Sequence, residues 1–238
     1  MSQFIIERAL APAQGEVAQL FIAFAEPEQI REQMDLLIAS LAQTFPAAAI
    51  VIVQPRAQAS SAHLGQRILQ QEILNDEELL AYVQSAQAEC QELIRAQQER
   101  FKVAPEATAL IALGQVASVI LELTKLASVM AGRVFAFGAR YAQLPTENLS
   151  LDQTVHFLHG AKDPIVPVLH TGQAQERFAQ LDGDATIDVG HAMENSFNPE
   201  LIQKMLERLL TCVPLRYWRD AQGNAQESCG PGPEDSVH

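Results

Sequence analysis

Cysteine is scarce in this sequence, and its three copies are unpaired by pattern. Cys90, Cys212 and Cys229 form an odd set without any C-x-x-C pair. Such a set argues against a disulfide framework and against a zinc knuckle. We therefore expect reduced thiols in a reducing compartment and no structural metal site.

Basic charge and long apolar runs are also lacking. The chain has 16 lysines and arginines against 29 acidic residues, a formal charge of −13, and no dense basic block. Nucleic acid and anionic bilayers repel such a surface. No apolar run reaches the roughly 18 residues that span a bilayer, and the start Met1–Glu7 does not resemble a secretory signal. We expect no nucleic-acid partner, no membrane insertion and a cytoplasmic location.

Three common ligand motifs are absent from the sequence. There is no H-E-x-x-H, no P-loop and no G-x-G-x-x-G, so metalloprotease, nucleotide-phosphate and dinucleotide functions have no positive support. The sequence therefore predicts no metal ion and no cofactor.

Continuous apolar runs alternate with amphipathic segments along the chain. The runs predict strands at residues 20–25, 47–53, 109–113, 133–137, 154–159 and 185–189. Helical spacing predicts helices within 27–46 and at 75–102, 115–130, 170–181 and 199–211, with Asn75 or Asp76 capping the second. This alternation predicts an α/β fold, a doubly wound, mostly parallel sheet with helices on both faces.

Length and composition set the domain organisation. A chain of 238 residues suits one α/β domain, which we place at residues 1–222. Residues 55–65 are polar and predict a loop. Residues 223–238 are rich in glycine, proline and acidic side chains, so they predict a flexible acidic tail.

Residues 108–124 read as a buried strand, a sharp turn and a helix. This frame normally carries the G-x-S-x-G elbow of a serine hydrolase. Here the pentapeptide is Ala112-Leu113-Gly114-Gln115-Val116, so Gly114 stands at the position of the nucleophile and both flanking glycines are absent. The sequence therefore lacks the serine hydroxyl that would act as nucleophile. It also lacks the two glycines that allow the backbone to approach closely at this turn.

Two later segments carry a resemblance to a known family. His159–Pro167 reads H-G-x-x-D-x-x-V-P and is similar to the acid loop of the phospholipase/carboxylesterase family; Gly190-His191 resembles that family's histidine loop. The resemblance extends from Phe101 to Trp218. It implies the α/β-hydrolase fold, with Asp163 orienting His191 and the order nucleophile, acid, histidine.

The N-terminal part departs from the family. The family's first strand ends in a His-Gly turn that helps to build the oxyanion hole. Here Ile22–Pro27 contains no glycine, and none occurs between Gly15 and Gly65. We expect an altered oxyanion loop, with the backbone N–H of Gln115 and the segment around Ala23 as the remaining oxyanion-hole candidates.

Several other polar residues have two interpretations. Arg140 and Tyr141 follow the fourth predicted strand and are candidate pocket residues, although packing is the alternative. The spacing of His156 and His159 suggests a turn motif rather than a metal pair. Ser118, Ser60 and Ser61 are the serines that could substitute for a nucleophile, against the alternatives of helix and loop residues.

Three functional hypotheses follow. The main one is a non-catalytic homologue of a serine carboxylesterase, a pseudoenzyme with a binding or scaffolding role and a possible small-molecule acyl ligand. The alternative is a weak hydrolase of small esters or thioesters, in which Asp163 and His191 activate water or Ser118 is recruited. The third is self-association as a homodimer through residues 57–69 and 84–98.

Overall fold

A single mostly parallel sheet organises the part of the chain that the structure describes. The structure is a computed structural model and describes residues 3–25, 31–55, 67–68, 72–194 and 197–217. Its strands are β1 (Phe4–Leu10), β2 (Gln19–Phe24), β3 (Ala48–Pro55), β4 (Thr108–Leu113), β5 (Arg133–Phe137), β6 (Thr154–Gly160) and β7 (Ala185–Gly190). Their order in the seven-stranded sheet is β1-β3-β2-β4-β5-β6-β7.

All neighbouring strands are parallel except one pair. β1 runs antiparallel to β3 at the edge of the sheet, and the register slips between Ile6 and Arg8. The other five pairings are parallel. In β2 alternate side chains enter different apolar clusters, Ile22 on one face and Phe21 on the other. A strand that is apolar on both sides is the pattern of a sheet covered on both faces.

Helices cover both faces of the sheet, as predicted. They are α1 (Arg31–Thr44), α2 (Asp76–Phe101), α3 (Val116–Leu123), α4 (Leu169–Gln180) and α5 (Pro199–Thr211). α1 and α5 pack on one face, and α2, α3 and α4 on the other. Asn75 caps α2 in a capping box with Glu78. Among the described residues, no helix is long and apolar enough to cross a membrane.

One strand was missed in the prediction from sequence, and one helix was predicted too long. β1 was not predicted, because its exposed Ile5 and the register slip before Arg8 break the apolar alternation. The helix predicted at 115–130 ends at Leu123 instead. The carbonyl of Thr124 accepts a 2.6 Å hydrogen bond from the Gln153 side chain, so it is engaged outside the helix.

Several predicted features lie outside the described residues. These are most of the loop at 55–65, of which Pro55 ends β3, the two serines Ser60 and Ser61, and the tail at 223–238. Within the described part, Cys90 and Cys212 are free thiols, and burial raises the pKa of the Cys90 thiol.

Candidate functional site

The turn after β4 has the geometry of an elbow. Gly114 has a φ of 70° and lies between β4 and α3. Its N–H donates to the Phe137 carbonyl at 2.8 Å, and its carbonyl accepts from Ala117 N at 3.1 Å. Positive φ favours glycine over any residue with a Cβ. The predicted strand, sharp turn and helix are therefore confirmed at this position.

Gln115 ties this turn to a distant segment. Its side chain is buried; Oε1 accepts from Leu74 N at 2.8 Å, and Nε2 donates to the Glu72 carbonyl at 2.6 Å. Among the described residues, no acceptor pairs with the backbone N–H of Gln115. That N–H is the group named as an oxyanion-hole candidate. The side-chain tether was not predicted, because it joins residues 41 apart in sequence.

The other oxyanion-hole candidate lies inside the sheet. Ala23 is fully buried in β2, in register with Ile52 on one side and Ile111 on the other. The segment after the strand, residues 26–30, lies outside the described residues. The altered oxyanion loop therefore stays a prediction.

Asp163 organises the loop after β6. Its Oδ1 accepts from Ile165 N at 2.8 Å and from Val166 N at 2.9 Å. Its side chain is only 2% exposed, and its Oδ2 accepts no hydrogen bond within the described residues. A buried carboxylate oxygen without a donor is costly. Oδ2 is thus the free acceptor of this loop.

His159 braces the same loop from inside. Its Nε2 lies 2.7 Å from the Val166 carbonyl and its Nδ1 2.6 Å from Thr171 Oγ1. Because a carbonyl only accepts, Nε2 carries a proton and donates to it. The same Nε2 is 3.5 Å from Asp163 Oδ2. His159 therefore holds the acid loop, a role that the sequence indicated only as a turn motif.

His156 is a core residue of β6. Its ring stacks on Phe135 with centroids 4.5 Å apart, and its Nδ1 lies 2.7 Å from Thr186 Oγ1. Burial, helped by the positive charges of Arg133 and Arg208, lowers the pKa of His156 to about 3. This histidine is therefore neutral at pH 7.

The histidine loop follows β7 and lies directly beside the acid loop. Gly160 and Gly190 are register partners; Ala161 N donates to the Gly190 carbonyl at 2.9 Å, and Lys162 N donates to the Met193 carbonyl at 3.0 Å. A Cβ on Gly160 would lie 2.6 Å from the Met193 carbonyl oxygen and still closer to Glu194. The glycine of the H-G pair is therefore required for the two loops to meet.

The structure brings the loops of Asp163 and His191 together without joining the two side chains. His191 is exposed, and among the described residues no hydrogen bond links it to Asp163. Gly114 lies at the end of β4 and the two loops at the ends of β6 and β7. Since these strands are parallel, all three positions share the carboxyl edge of the sheet.

Arg140 and Tyr141 have different surroundings. Tyr141 packs against Phe157 and Phe178, and its hydroxyl lies 2.7 Å from Thr124 Oγ1. It belongs to the core rather than to a pocket, and burial raises its pKa. Arg140 lines a cavity of about 560 Å³. Only 14% of its side chain is exposed.

The cavity is built from three segments. The first is the start of α2 with the stretch before it, which contributes Ile73 and Asp76. The second is the loop after β5, which contributes Arg140. The third is the acid loop and α4, which contribute Ile165, Pro167 and His170. Arg140 Nη1 pairs with Asp76 Oδ1 at 2.7 Å, and Nη2 lies 3.3 Å from the Leu74 carbonyl. Leu74 is thus held by Gln115 at its N–H and by Arg140 at its carbonyl.

A buried glutamate fixes the loop that carries Arg140. Glu122 Oε1 accepts from Ala142 N at 3.1 Å and from Gln143 N at 3.3 Å, and Lys125 forms an ion pair with Oε2. Lys125 also donates to the Gln143 carbonyl at 2.8 Å. Sequence patterns did not point to Glu122, because its partners lie about 20 residues away along the chain.

Comparison with known proteins identifies the fold and the family. The model of the phospholipase/carboxylesterase family matches residues 67–213. Esterase YpfH of Escherichia coli is 35% identical over 150 residues, which span 61% of each chain. The crystal structure of esterase PE8 has a TM-score of 0.66 at 16% identity, covering 85% of this chain and 96% of its own. The phospholipase/carboxylesterase of Dyadobacter fermentans has a TM-score of 0.61 at 17% identity, with 89% and 97% covered.

The matches to solved structures indicate the fold, and the match to the family model indicates the family. The mostly parallel sheet, its helices on both faces and its structural neighbours are those of an α/β-hydrolase fold, as the sequence predicted. The chain belongs to the phospholipase/carboxylesterase family.

Proposed function

We propose that this chain is a member of the carboxylesterase family that has lost serine-based ester hydrolysis and acts as a binding protein. The observation that carries the proposal is Gly114, a residue without a side chain at the elbow between β4 and α3, with a φ of 70°. The covalent step of a serine hydrolase needs an Oγ at this point. Without it that route is closed.

The nearest serine along the helix does not replace the missing hydroxyl in this proposal. Ser118 lies in the middle of α3 and is 1% exposed, and its Oγ has no partner within the described residues. An ester in the cleft would have to enter the core to reach it. Val116, which stands where the elbow motif has its last glycine, is fully buried in the same core.

The alternative function is weak hydrolysis by water that Asp163 and His191 activate. Two observations favour it: the acid and histidine loops are joined through their backbones, and Asp163 Oδ2 is buried and accepts no hydrogen bond among the described residues. An Asp–His pair can act as a general base on water. Self-association through 84–98 also stays a proposal; this stretch lies in α2, where Ala86, Cys90 and Ile94 face the core.

Hydrolysis of p-nitrophenyl acetate and butyrate tests these proposals. We expect the wild type to match the buffer rate and Gly114→Ser to exceed it, because the substitution restores a hydroxyl at the elbow. Adding His191→Ala to Gly114→Ser should remove that gain. The matched control is Gly15→Ser, a change at an exposed glycine that also has positive φ, 88°, and it should stay at background.

One result would overturn the main proposal. Wild-type hydrolysis at least about a hundredfold above buffer, lost with His191→Ala, would mean an active enzyme that uses the pair to activate water, since general acid–base catalysis contributes about 10²–10⁴-fold.

A further inference from the structure

We propose that the cavity beside Arg140 binds a short- or medium-chain carboxylate, with the guanidinium of Arg140 as its anion partner. The inference rests on the proposed binding function and names the ligand class. It concerns a cavity lined by the start of α2, Arg140 and α4, and needs no reaction at Gly114.

The first argument is the state of the Arg140 guanidinium. Its side chain is only 14% exposed, whereas that of its partner Asp76 is 85% exposed. Arg140 uses one N–H on each terminal nitrogen, for Asp76 Oδ1 at 2.7 Å and for the Leu74 carbonyl at 3.3 Å. Within the described residues its Nε–H has no acceptor. A guanidinium fork with free donors matches a carboxylate bidentately.

The ion pair with Asp76 is a weak competitor. A pair with such an exposed carboxylate contributes little, because solvent screens it and an exposed side chain loses entropy when it is held. A ligand carboxylate deeper in the cavity can therefore displace Asp76 at small cost. Glu77, also on the rim and exposed, opposes an anion, but it too is screened by solvent.

The second argument is the apolar wall around this charge. Ile73, Ile165 and Pro167 line the cavity, and Ile73 is 57% exposed. The neighbouring Leu74 donates its N–H to the Gln115 side chain, and its carbonyl accepts from Arg140. Because these two hydrogen bonds fix the backbone beside it, Ile73 is held at the opening of the cavity. A volume of about 560 Å³, lined by these apolar side chains beside the polar residues of the rim, suits a small organic ligand. Arg140 is the anion partner, and Ile73, Ile165 and Pro167 form its apolar side, so the two together favour an amphipathic monocarboxylate.

His170 gives the binding a specific readout. Burial and the positive charge of Arg140 lower the pKa of His170, while a hydrogen bond that the ring donates to Gln173 and the negative charge of Asp76 act in the opposite direction. A carboxylate bound at Arg140 adds a negative charge near the ring, which stabilises the protonated form. Ligand binding should therefore raise the pKa of His170.

The test measures binding of butyrate, hexanoate and octanoate by calorimetry, with hexylammonium as the cationic counterpart. The His170 titration is followed by NMR in parallel. We expect saturable carboxylate binding that strengthens with chain length, no hexylammonium binding, and an upward shift of the His170 pKa. Arg140→Gln should weaken hexanoate binding at least about tenfold, because a charge-assisted pair is lost. Asp76→Asn should strengthen it about threefold, because a competitor of the size of an exposed ion pair is removed.

Arg95→Gln is the matched control, since it removes the same charge from the exposed surface of α2 outside the cavity, and it should leave hexanoate binding unchanged. Hexanoate binding that is indifferent to Arg140→Gln in a folded variant, an absence of carboxylate binding, or preferred hexylammonium binding that weakens with Asp76→Asn would overturn the inference. These failures are distinct from failure of the proposed loss of ester hydrolysis, which the p-nitrophenyl ester assay decides.

Discussion

The elbow and the pair of acid and histidine loops lie at the same edge of the sheet, yet different hydrogen bonds hold them. The elbow keeps its backbone: Gly114 has positive φ and its N–H donates to the end of β5. The loop pair is held by main chain and by a side chain, since Asp163 accepts two N–H groups and the acid loop donates two N–H groups to carbonyls of the histidine loop. Main-chain hydrogen bonds at the strand ends therefore define both regions, and only the loop pair adds a buried carboxylate.

Breaking the loop pair at Gly160 should have the largest effect. In Gly160→Ala the new Cβ would meet the carbonyl of Met193 at 2.6 Å and the Glu194 backbone still closer. Backbone atoms cannot yield as a flexible side chain does, so the histidine loop has to move. We expect a loss of about 3 kcal/mol in the free energy of unfolding, measured with urea.

Gly172→Ala is the matched control for this substitution. Gly172 lies in α4, and a Cβ there meets nothing within 4 Å. Because alanine is a better helix former, this variant should be more stable by about 0.5–1 kcal/mol. A Gly160→Ala protein as stable as the wild type would mean that the two loops are not held in contact.

The sequence predicted the interior of the fold better than its edges. β5 and α5 have the predicted bounds, because continuous apolar runs and helical spacing report burial directly. β1 escaped prediction since it is an edge strand with a register slip. The acid and histidine loops were located by motif, whereas the contacts of Gln115 with Leu74 and of Glu122 with Ala142 join distant parts of the chain. Such pairs follow from tertiary packing and leave no local pattern.

Acid should weaken the half of the sheet that carries the loop pair. The pKa of His156 is about 3 in the folded protein, against about 6.5 when unfolded. Below pH 6.5 the unfolded chain binds a proton that the folded protein does not, so stability falls as pH falls towards 3. Between pH 7 and pH 5 this histidine should remove about 2 kcal/mol from the free energy of unfolding.

His156→Phe isolates this contribution. The substitution keeps an aromatic ring to stack on Phe135 and removes the titrating group. It also removes the hydrogen bond to Thr186. That loss is the same at both pH values, so it cancels when they are compared. Urea unfolding should show that the free energy of unfolding falls between pH 7 and pH 5 by about 2 kcal/mol more in the wild type than in the variant. Parallel losses in wild type and His156→Phe would contradict the assignment.

The smallest effect is expected at the elbow itself. Gly114→Ala places a Cβ on a residue whose φ is 70°, which should cost about 1 kcal/mol in the free energy of unfolding because left-handed backbone is unfavourable for L-residues. Gly15→Ala is the reference for pure backbone strain, since Gly15 has φ of 88° and open space around it. If Gly114→Ala and Gly15→Ala lose equal free energy of unfolding, the loss at the elbow comes from backbone conformation alone. A side chain can then be placed at Gly114 without disturbing the loop pair. A neutral Gly114→Ala would show that the turn is not held in the left-handed region, and the hydroxyl of Gly114→Ser would then not be aimed as at an elbow.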